Sequence, residues 1–453
     1  MAAEFVGERT PQCDEQRLDS WIGRPEVETE SISMPTVAGP EGAGPTVKAF
    51  RQGTHRWIAP IDTLKRSRRL QEPLGITRAA NVTGLDCIGI PVVMVCRPNA
   101  RSLAVSQGKG LDLEAARASG LMESIELYHA ERITLPLKLA SFNELRCLHD
   151  VARIDGLPLI SISAFHPNRT LLWIQGIDVF NSMPTWVPYE LVHMNYTVPF
   201  PTGSGCFVMS SNGLASGNHA LEAVSHGLCE VIERDAVTLF RFRSGREQAE
   251  MRVILDSIKD PDCRSVLEQY KRAGVTVGVW DATSDVGVAT FRCVILDADP
   301  NPFRQLGPVE GMGTHPVREV SLLRALTEAA QGRLTLIAGS RDDNGRTRYG
   351  ETRDPGLVQR ARERLSQPAV RRFDETPTYV NDTFEEDVKL LLDRLRHVGL
   401  EQAIVVDLTK PEFGVPVVRV VVPGLETYHH VQGYVPGLRA RRLLQARMEE
   451  AQQ

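Results

Sequence analysis

Three short segments of the sequence carry paired acid or amide side chains at the same spacing. They read SGLMESIE at 119–126, HGLCEVIE at 226–233 and RALTEAAQ at 324–331. In each segment a Leu is followed two residues later by a Glu, and three residues after that by another Glu or a Gln. Residues three apart are neighbours on one face of an α-helix, so each segment would present two oxygen-bearing side chains side by side.

The acids of these segments are embedded among small and apolar residues, such as Gly120, Leu121 and Ile125. A surface helix normally leaves its carboxylates on the solvent side, whereas LMESIELY has little polar surface apart from its acids. We therefore predict that they are at least partly buried. Two carboxylates about 4 Å apart repel by roughly 4 kcal/mol at an effective dielectric constant of about 20, so a buried group must bind protons, pair with Arg or hold cations.

Oxygen ligands without a Cys or His spacing favour a hard cation, above all Mg²⁺. One E-x-x-E is common on a solvated helix face, but three copies in apolar sequence favour a functional site. A nucleotide is the natural cargo of such a magnesium site. The sequence contains neither GxxxxGK[ST] nor a GxGxxG after a strand, and GKG at 108–110 lacks both the upstream Gly and the Ser/Thr. Phosphate binding would therefore depend on metal ions, Arg and ordinary backbone.

Strands and helices alternate around these segments. Runs rich in Val and Ile predict strands at 87–96, 275–283, 290–299, 403–409 and 417–424. Helical patterns lie near 112–133, 218–241, 316–338, 355–365 and 385–399. The mixture indicates an α/β or α+β class, and without a clear linker after residue 55 we expect one large domain. Residues 1–55, rich in Pro and acids, predict a weakly structured extension.

The composition is that of a soluble globular protein. The 453 residues carry a net charge of −5, with 42% hydrophobic and 24% charged residues, which excludes a disordered chain, a collagen or a coiled-coil rod. A net acidic chain does not indicate nucleic-acid binding, and no apolar stretch approaches the roughly 20 residues of a membrane helix. The N-terminus has no secretory pattern, and the eight Cys form no CxxC pair. We expect a cytoplasmic protein with reduced thiols.

Longer stretches around the three segments resemble the hallmark regions of the YcaO family. They are SQGKGLDLEAARASGLMESIELYHAER (106–132), SSNGLASGNHALEAVSHGLCEVIERDAV (210–237) and VEGMGTHPVREVSLLRALTEAAQGRLTLIAGSRDD (309–343), and VVRVVVPGLE (417–426) resembles the C-terminal strand of the family. The resemblance covers about residues 56–440. It implies a single large α+β domain at 56–445, followed by a tail at 446–453, with repeated Glu-bearing helices and mixed sheets around an ATP site that has no P-loop.

The resemblance also assigns residues. The nucleotide-binding positions it implies are Arg56, Thr63, Ser119, Glu126, Asn218, Glu222, Arg234, Arg324 and Gln331. The Mg²⁺ positions are Glu123, Glu126, Glu222, Glu230 and Glu233. Glu328 lies in the third motif without an assigned role, and Leu127 stands where the first motif of the family usually has Arg. No catalytic acid or base is identified; Cys206, Cys229, His429 and His430 are interpreted as structural rather than catalytic.

YcaO enzymes use ATP to phosphorylate the oxygen of a peptide backbone amide while a nucleophile attacks its carbon. A neighbouring Cys, Ser or Thr gives an azoline, an amine gives an amidine, and sulfide gives a thioamide. PLGITRAANVTGLDCIGIPVVMVCRP (73–98) resembles the branch that works with a separate TfuA protein, and the chain lacks the Pro-x-Pro-x-Pro tail of azoline-forming members. The resemblance thus implies ATP- and Mg²⁺-dependent thioamidation of a ribosomally made precursor peptide, with a TfuA-like partner that delivers sulfide.

Three alternatives stay open: an azoline cyclodehydratase, an amidine-forming enzyme, and a non-catalytic scaffold that binds a precursor peptide. A homodimer is also expected from the family.

Overall fold

Three β-sheets, each packed against one long helix, organise the chain. The computed structural model describes residues 44–299, 306–343, 349–350, 354–431 and 433–450. The first sheet has the order β1-β2-β3, and the second has the order β9-β10-β11. The third has seven strands in the order β5-β7-β6-β12-β13-β8, with β4 beside β6. All pairings are antiparallel except that of β5 with β7.

The described strands are β1 (Arg78–Asn81), β2 (Val92–Cys96), β3 (Val105–Lys109), β4 (Leu137–Ala140), β5 (Asp150–Val151), β6 (Leu171–Asp178), β7 (Met183–Pro188), β8 (Leu214–Ser216), β9 (Val275–Asp281), β10 (Thr290–Asp297), β11 (Val309–Thr314), β12 (Ile404–Asp407) and β13 (Val417–Val421). The described helices are α1 (Pro60–Arg68), α2 (Leu113–Glu131), α3 (Phe142–Leu145), α4 (Ala220–Phe242), α5 (Gly245–Glu250), α6 (Pro261–Arg272), α7 (Arg318–Ala338), α8 (Pro355–Ser366), α9 (Phe384–His397) and α10 (Leu438–Glu450).

The predicted elements form where the hydrophobic patterns place them, and the α+β class is confirmed. The predicted strands are shorter in the structure, and the largest difference is at β2, which begins at Val92 and not at residue 87. Pro91 supplies no backbone N–H for a strand ladder, and Gly89 has a positive φ of 84°. Both features delay the start of the strand.

The same strand-to-helix unit occurs three times, as β3 followed by α2, β8 by α4 and β11 by α7. Each helix packs closely on a sheet because glycine lies at the contact. A Cβ atom on Gly108 would lie 2.1 Å from the backbone nitrogen of Gly120, and one on Gly311 would lie 2.3 Å from the carbonyl oxygen of Ala325. The small residue shared by the three sequence segments, Gly120, Gly227 and Ala325, therefore lies where each helix meets its sheet.

The N-terminal part of the packed body begins upstream of residue 56. Residues 1–43 of the predicted extension lie outside the described residues. Residues 44–55 are described and differ from a weakly structured segment, because the Lys48 ammonium forms a fully buried salt bridge of 2.6 Å with Asp387 on α9. At the other end, α10 runs through the predicted tail boundary at 445/446, and Arg439 anchors it to Asp235 on α4 at 2.8 Å.

In the part of the chain that is described, no helix is both long enough and apolar enough to cross a bilayer.

Candidate nucleotide and metal site

The central parts of α2, α4 and α7, residues 118–127, 221–240 and 320–331, are buried except along one stripe. On α2 the stripe consists of Ser119, Glu123 and Glu126, which are partly accessible, while Leu121 and Ile125 are buried. The corresponding partly accessible residues are His226, Glu230 and Arg234 on α4, and Arg324, Glu328 and Gln331 on α7. Four of the repeated acids, Glu123, Glu126, Glu230 and Glu328, are thus partly accessible, whereas Glu233 is buried at 4% exposure.

Contacts between the helices show that the three stripes border one cleft. Ser216, at the end of β8, donates to Glu126 Oε1 from its backbone nitrogen at 2.9 Å and its hydroxyl at 2.7 Å. The Arg324 guanidinium lies 2.8 Å from Nε2 of His226, which joins α7 to α4. The Lys109 ammonium on β3 pairs with Glu328 Oε2 at 2.5 Å. We call the resulting group of six carboxylates the acid cleft: Glu123, Glu126, Glu222, Glu230, Glu233 and Glu328.

The segment before α1 closes one side of the acid cleft. The Trp57 and Asn218 backbone nitrogens donate to Glu222 Oε2 at 3.2 and 3.1 Å, and an Arg56 guanidinium nitrogen lies 3.9 Å from Glu222 Oε1. The Thr63 hydroxyl donates to Asn218 Oδ1 at 3.2 Å. In the sequence, only the family resemblance links Arg56 and Thr63. In the structure, both lie beside the N-terminus of α4.

Burial without sufficient counter-charge raises the pKa values of these acids. Burial raises the pKa of Glu126 to about 8, and repulsion from Glu123 adds to the rise. Burial likewise raises the pKa of Glu123 to about 7 and that of Glu233 to about 7. The pKa values of Glu222 and Glu230 are also raised by burial. Among the described residues, neither Glu123 nor Glu126 has a cationic side chain within salt-bridge distance.

The cations of the cleft are unevenly distributed. Arg234 lies between Glu230, at 3.4 Å, and Glu233, at 3.8 Å. Burial alone would raise the pKa of Glu328, but the charges of Lys109 and Arg234 outweigh it and lower the pKa. The negative charge of the cleft is therefore least compensated on the α2 side, at Glu123 and Glu126.

Several buried polar atoms bordering the cleft have no hydrogen-bond partner among the described residues. They include two donors, Arg56 Nε and Asn218 Nδ2, and the acceptor Gln331 Oε1. Buried polar groups without partners cost free energy and point to an unseen ligand. Carboxylate oxygens suit Mg²⁺, and guanidinium and amide donors suit phosphate oxygens. The residues present therefore fit a magnesium–nucleotide complex, as the sequence predicts.

A second group of ligand-type atoms lies beside the cleft. His55, His315 and Asp387 each place one nitrogen or oxygen within 4.8 Å of the others. The Asp387 carboxylate already has the Lys48 ammonium as its counter-ion, and His55 and His315 pack edge to face at 4.7 Å. We assign this group no metal, and interpret it as the anchor that holds the segment with Arg56 against the body.

The sequence-predicted nucleotide and metal positions all lie on the stripes or beside them. Among them, Ser119 lies one turn before Glu123 on the same stripe.

The four residues interpreted as structural differ in burial: Cys206 and Cys229 are buried, His429 is half-buried and His430 is exposed. Cys229 is buried, and burial raises its pKa to about 12, so its thiol is not a ready nucleophile. Leu127 is buried in the core next to the stripe, at 4% exposure.

Sequence reasoning missed three residues of the cleft. Lys109 was considered only as part of a P-loop, although it provides the counter-ion of Glu328. His226 opens the second of the three segments but was given no role in the site, although burial lowers its pKa well below the usual range and its neutral ring contacts Arg324. Gln107 receives hydrogen bonds from Gln331, at 3.4 Å, and from Thr335, at 2.6 Å. The sequence signal that could have identified Lys109, His226 and Gln107 was their position within the motif regions 106–132 and 210–237.

Comparisons with known proteins agree with this geometry. A family model described as YcaO cyclodehydratase, ATP- and Mg²⁺-binding, matches residues 107–426. An uncharacterized protein in the tfuA 3′ region of Rhizobium leguminosarum bv. trifolii is 36% identical over 392 residues, which is 85% of this chain and 92% of that protein. An uncharacterized protein of Methanothermobacter thermautotrophicus is 37% identical over 379 residues, covering 82% and 95% of the two chains.

Solved structures with the same fold include YcaO from Methanopyrus kandleri bound with AMPPCP and Mg²⁺, with a TM-score of 0.68 and 24% identity over 86% of this chain and 98% of that one. A heterocyclase in complex with substrate and cofactor has a TM-score of 0.72 and 22% identity over 90% of this chain. The match spans 56% of that heterocyclase, so the chain corresponds to little more than half of its length.

Proposed function

The chain belongs to the YcaO family, and from that premise we propose that it is an enzyme that uses ATP and Mg²⁺ to replace the oxygen of a peptide backbone amide with sulfur. ATP and Mg²⁺ are the ligands of the family. The acid cleft is the observation that supports their use here. Its carboxylates repel one another, as Glu123 and Glu230 repel Glu126, and as Glu328 and Glu230 repel Glu233, and a divalent cation is the simplest way to offset this repulsion.

We propose that Glu123, Glu126, Glu222, Glu230 and Glu233 hold Mg²⁺. Ser119, Arg56, Thr63, Asn218, Arg234, Arg324 and Gln331 would bind the nucleotide, with Glu126 and Glu222 shared between both. When bound, ATP with Mg²⁺ supplies the phosphoryl group that converts the amide oxygen into a leaving group. The side chains act by position and charge, because Arg234 and Arg324 can donate hydrogen bonds where negative charge develops. His226, held neutral, fixes Arg324 in that orientation.

The choice of sulfur as nucleophile is supported by the relative in the tfuA 3′ region and by the TfuA-branch resemblance of residues 73–98. In the proposed reaction, hydrosulfide adds to the amide carbon and the amide oxygen leaves with the transferred phosphoryl group as inorganic phosphate. The proton of hydrosulfide ends on the phosphate. The products are a thioamide, ADP and phosphate, and no oxidant or reductant is needed. A precursor peptide and a TfuA-like protein are the proposed partners.

The test combines the full-length chain with a TfuA-like protein, ATP, Mg²⁺, sulfide and a candidate peptide. We expect a peptide mass gain equal to the exchange of one oxygen for one sulfur, and transfer of a heavy-oxygen label from the amide into phosphate. Loss of water alone would replace the proposal with azoline or amidine formation. Peptide binding without any ATP hydrolysis would favour the non-catalytic scaffold.

A further inference from the structure

Arg419 on β13 is a buried cation with no carboxylate partner among the described residues. Its side chain is 1% exposed. Nε and Nη2 donate to the carbonyl oxygen of Leu191 at 2.8 and 2.6 Å, and Nη2 also donates to the carbonyl oxygen of Ser210. The remaining nitrogen, Nη1, is buried and has no hydrogen-bond partner among the described residues. A buried charge with a free donor is costly unless something else occupies the space beside it.

A small cavity of about 40 Å³ lies beside Arg419. Its polar lining includes Ser210, Asn212 and Thr427, and its apolar lining includes Val231 and Val422. Asn212 Oδ1 is a second buried polar atom without a partner among the described residues. A cavity needs about 10–15 Å³ to hold one water, so this one has room for about three waters, or for one small ion with a water or two.

The cavity adjoins the acid cleft. Val231 follows Glu230 directly on α4, so the two sites lie on neighbouring faces of the same turn. Burial raises the pKa of Glu230, and the charge of Arg419 is among the opposing influences that limit the rise. The cavity and the acid cleft therefore share one turn of α4, and Arg419 is close enough to Glu230 to influence it electrostatically.

We propose that this cavity binds the hydrosulfide ion that attacks the amide, an inference that rests on the thioamidation proposed above. The two unpartnered atoms match this ion: Arg419 Nη1 donates to the sulfur, and Asn212 Oδ1 accepts the S–H proton. The volume accommodates an ion of one heavy atom with one or two waters. Sulfur is large and weakly hydrated for its charge, so valine walls beside one guanidinium suit it better than they suit hydroxide.

The first experiment measures KM for sulfide and KM for ATP in the thioamidation assay. Val422→Ile adds one methylene to the cavity wall and leaves Arg419 intact. We expect it to raise KM for sulfide by about tenfold, the loss of one good contact, with little change in KM for ATP. Val418→Ile is the matched control, because Val418 is a buried valine four residues before Val422 and is not part of the lining.

Arg419→Met and Arg419→Lys separate charge from packing. Arg419→Met removes the cation and is expected to raise KM for sulfide more than Arg419→Lys, which keeps a positive charge. Because Arg419 also ties Leu191 and Ser210 to β13, both variants are first compared by thermal unfolding. If KM for sulfide and KM for ATP change together in all folded variants, the cavity is only structural and the proposal is wrong.

A second experiment is independent of the reaction product. Bromide resembles hydrosulfide in size and charge, and its anomalous scattering locates it in crystals of the full chain. We expect a bromide peak beside Arg419 Nη1 that disappears after transfer to sodium hydrosulfide. The absence of a peak, or a peak that hydrosulfide does not displace, overturns the anion site. A displaced peak without thioamide formation supports the site and instead removes the proposed reaction.

Discussion

The C-terminal end and the middle of α2 carry glutamates in opposite electrostatic states. Near the C-terminus of the helix, Glu131 is buried and forms a two-pronged salt bridge with Arg97, both contacts being 2.6 Å. Burial would raise the pKa of Glu131, but Arg97 outweighs it and lowers the pKa. In the middle of the helix, Glu123 and Glu126 lack such a partner, and burial raises their pKa values.

The difference teaches that burial alone does not mark a functional acid. Glu131 is more buried than either cleft residue, yet its charge is fully matched, because Ser102 also donates to it from its backbone nitrogen and its hydroxyl. A matched acid holds the fold together. An acid without a counter-ion resists ionisation, and a bound cation would relieve that cost. Such an acid is therefore suited to binding a metal ion.

The largest effect should come from breaking the matched end. Glu131→Gln leaves the Arg97 guanidinium buried without its counter-charge, which we expect to lower the free energy of unfolding by about 3–5 kcal/mol. Urea denaturation of the ATP-free protein measures it. The folded fraction should still bind ATP with wild-type affinity, and a variant as stable as the wild type would contradict the comparison.

In the middle of α2, where the acids lack a counter-ion, Glu126→Gln should affect function and not stability. We expect ATP hydrolysis to fall by about 100-fold, or roughly 2.7 kcal/mol of transition-state stabilisation. The melting temperature at neutral pH should stay the same, because the neutral amide resembles the protonated carboxyl that a pKa of about 8 favours there. Glu114→Gln, at an exposed position of the same helix, is the control. A large loss of stability in Glu126→Gln would mean that Glu126 is structural.

The pH dependence of Mg²⁺ binding tests the raised pKa values. The carboxyls of Glu123, Glu126 and Glu233 have folded pKa values of about 7 to 8, above the ordinary value of 4.5. Metal-free, they destabilise the fold progressively as the pH rises from about 4.5 through 8, since ionisation is resisted there. Mg²⁺ needs the ionised forms, so its affinity should fall as the pH drops below 8.

For each proton that Mg²⁺ must displace, the affinity should fall by about tenfold, or 1.4 kcal/mol, per pH unit well below the pKa. Isothermal titration calorimetry in buffers of different ionisation enthalpy counts the released protons. An affinity that does not change between pH 6 and pH 8 would show that the acids are already ionised in the metal-free protein, as Glu131 is.

The smallest effect should come from the rim of the cleft. Thr63→Val removes the hydroxyl that contacts Asn218 while keeping the shape of the side chain. We expect the Kd for ATP to rise by about fivefold, corresponding to roughly 1 kcal/mol for one neutral hydrogen bond. Equilibrium binding of a fluorescent ATP analogue measures it. An unchanged Kd would place Thr63 outside the nucleotide site and restrict that site to the three helices.

The sequence predicted the helices that carry the acids better than it predicted what surrounds them. The E-x-x-E spacing and the small residue beside it are local, so α2, α4 and α7 could be located from pattern alone. The strands β6 and β7 were not predicted, because Gly176, Pro184 and Pro188 interrupt their patterns.

Partners far apart in the sequence could not be predicted from local pattern. Lys109 and Glu328 are 219 residues apart, and Arg324 and His226 are 98 apart. These contacts exist only once the sheets have brought the helices together. The motif resemblance supplied the residues of the cleft, but not which acids are matched and which are not.

The buried contact between Lys48 and Asp387 has a practical consequence for recombinant work. A shortened protein started at residue 56, where the family resemblance begins, would keep Arg56 but discard the anchor that holds it near Glu222. It would also leave the Asp387 carboxylate in the interior without its ammonium. Trimmed versions intended for crystallisation or assay should therefore begin before Thr46, whose backbone nitrogen donates to Glu385 at the start of α9.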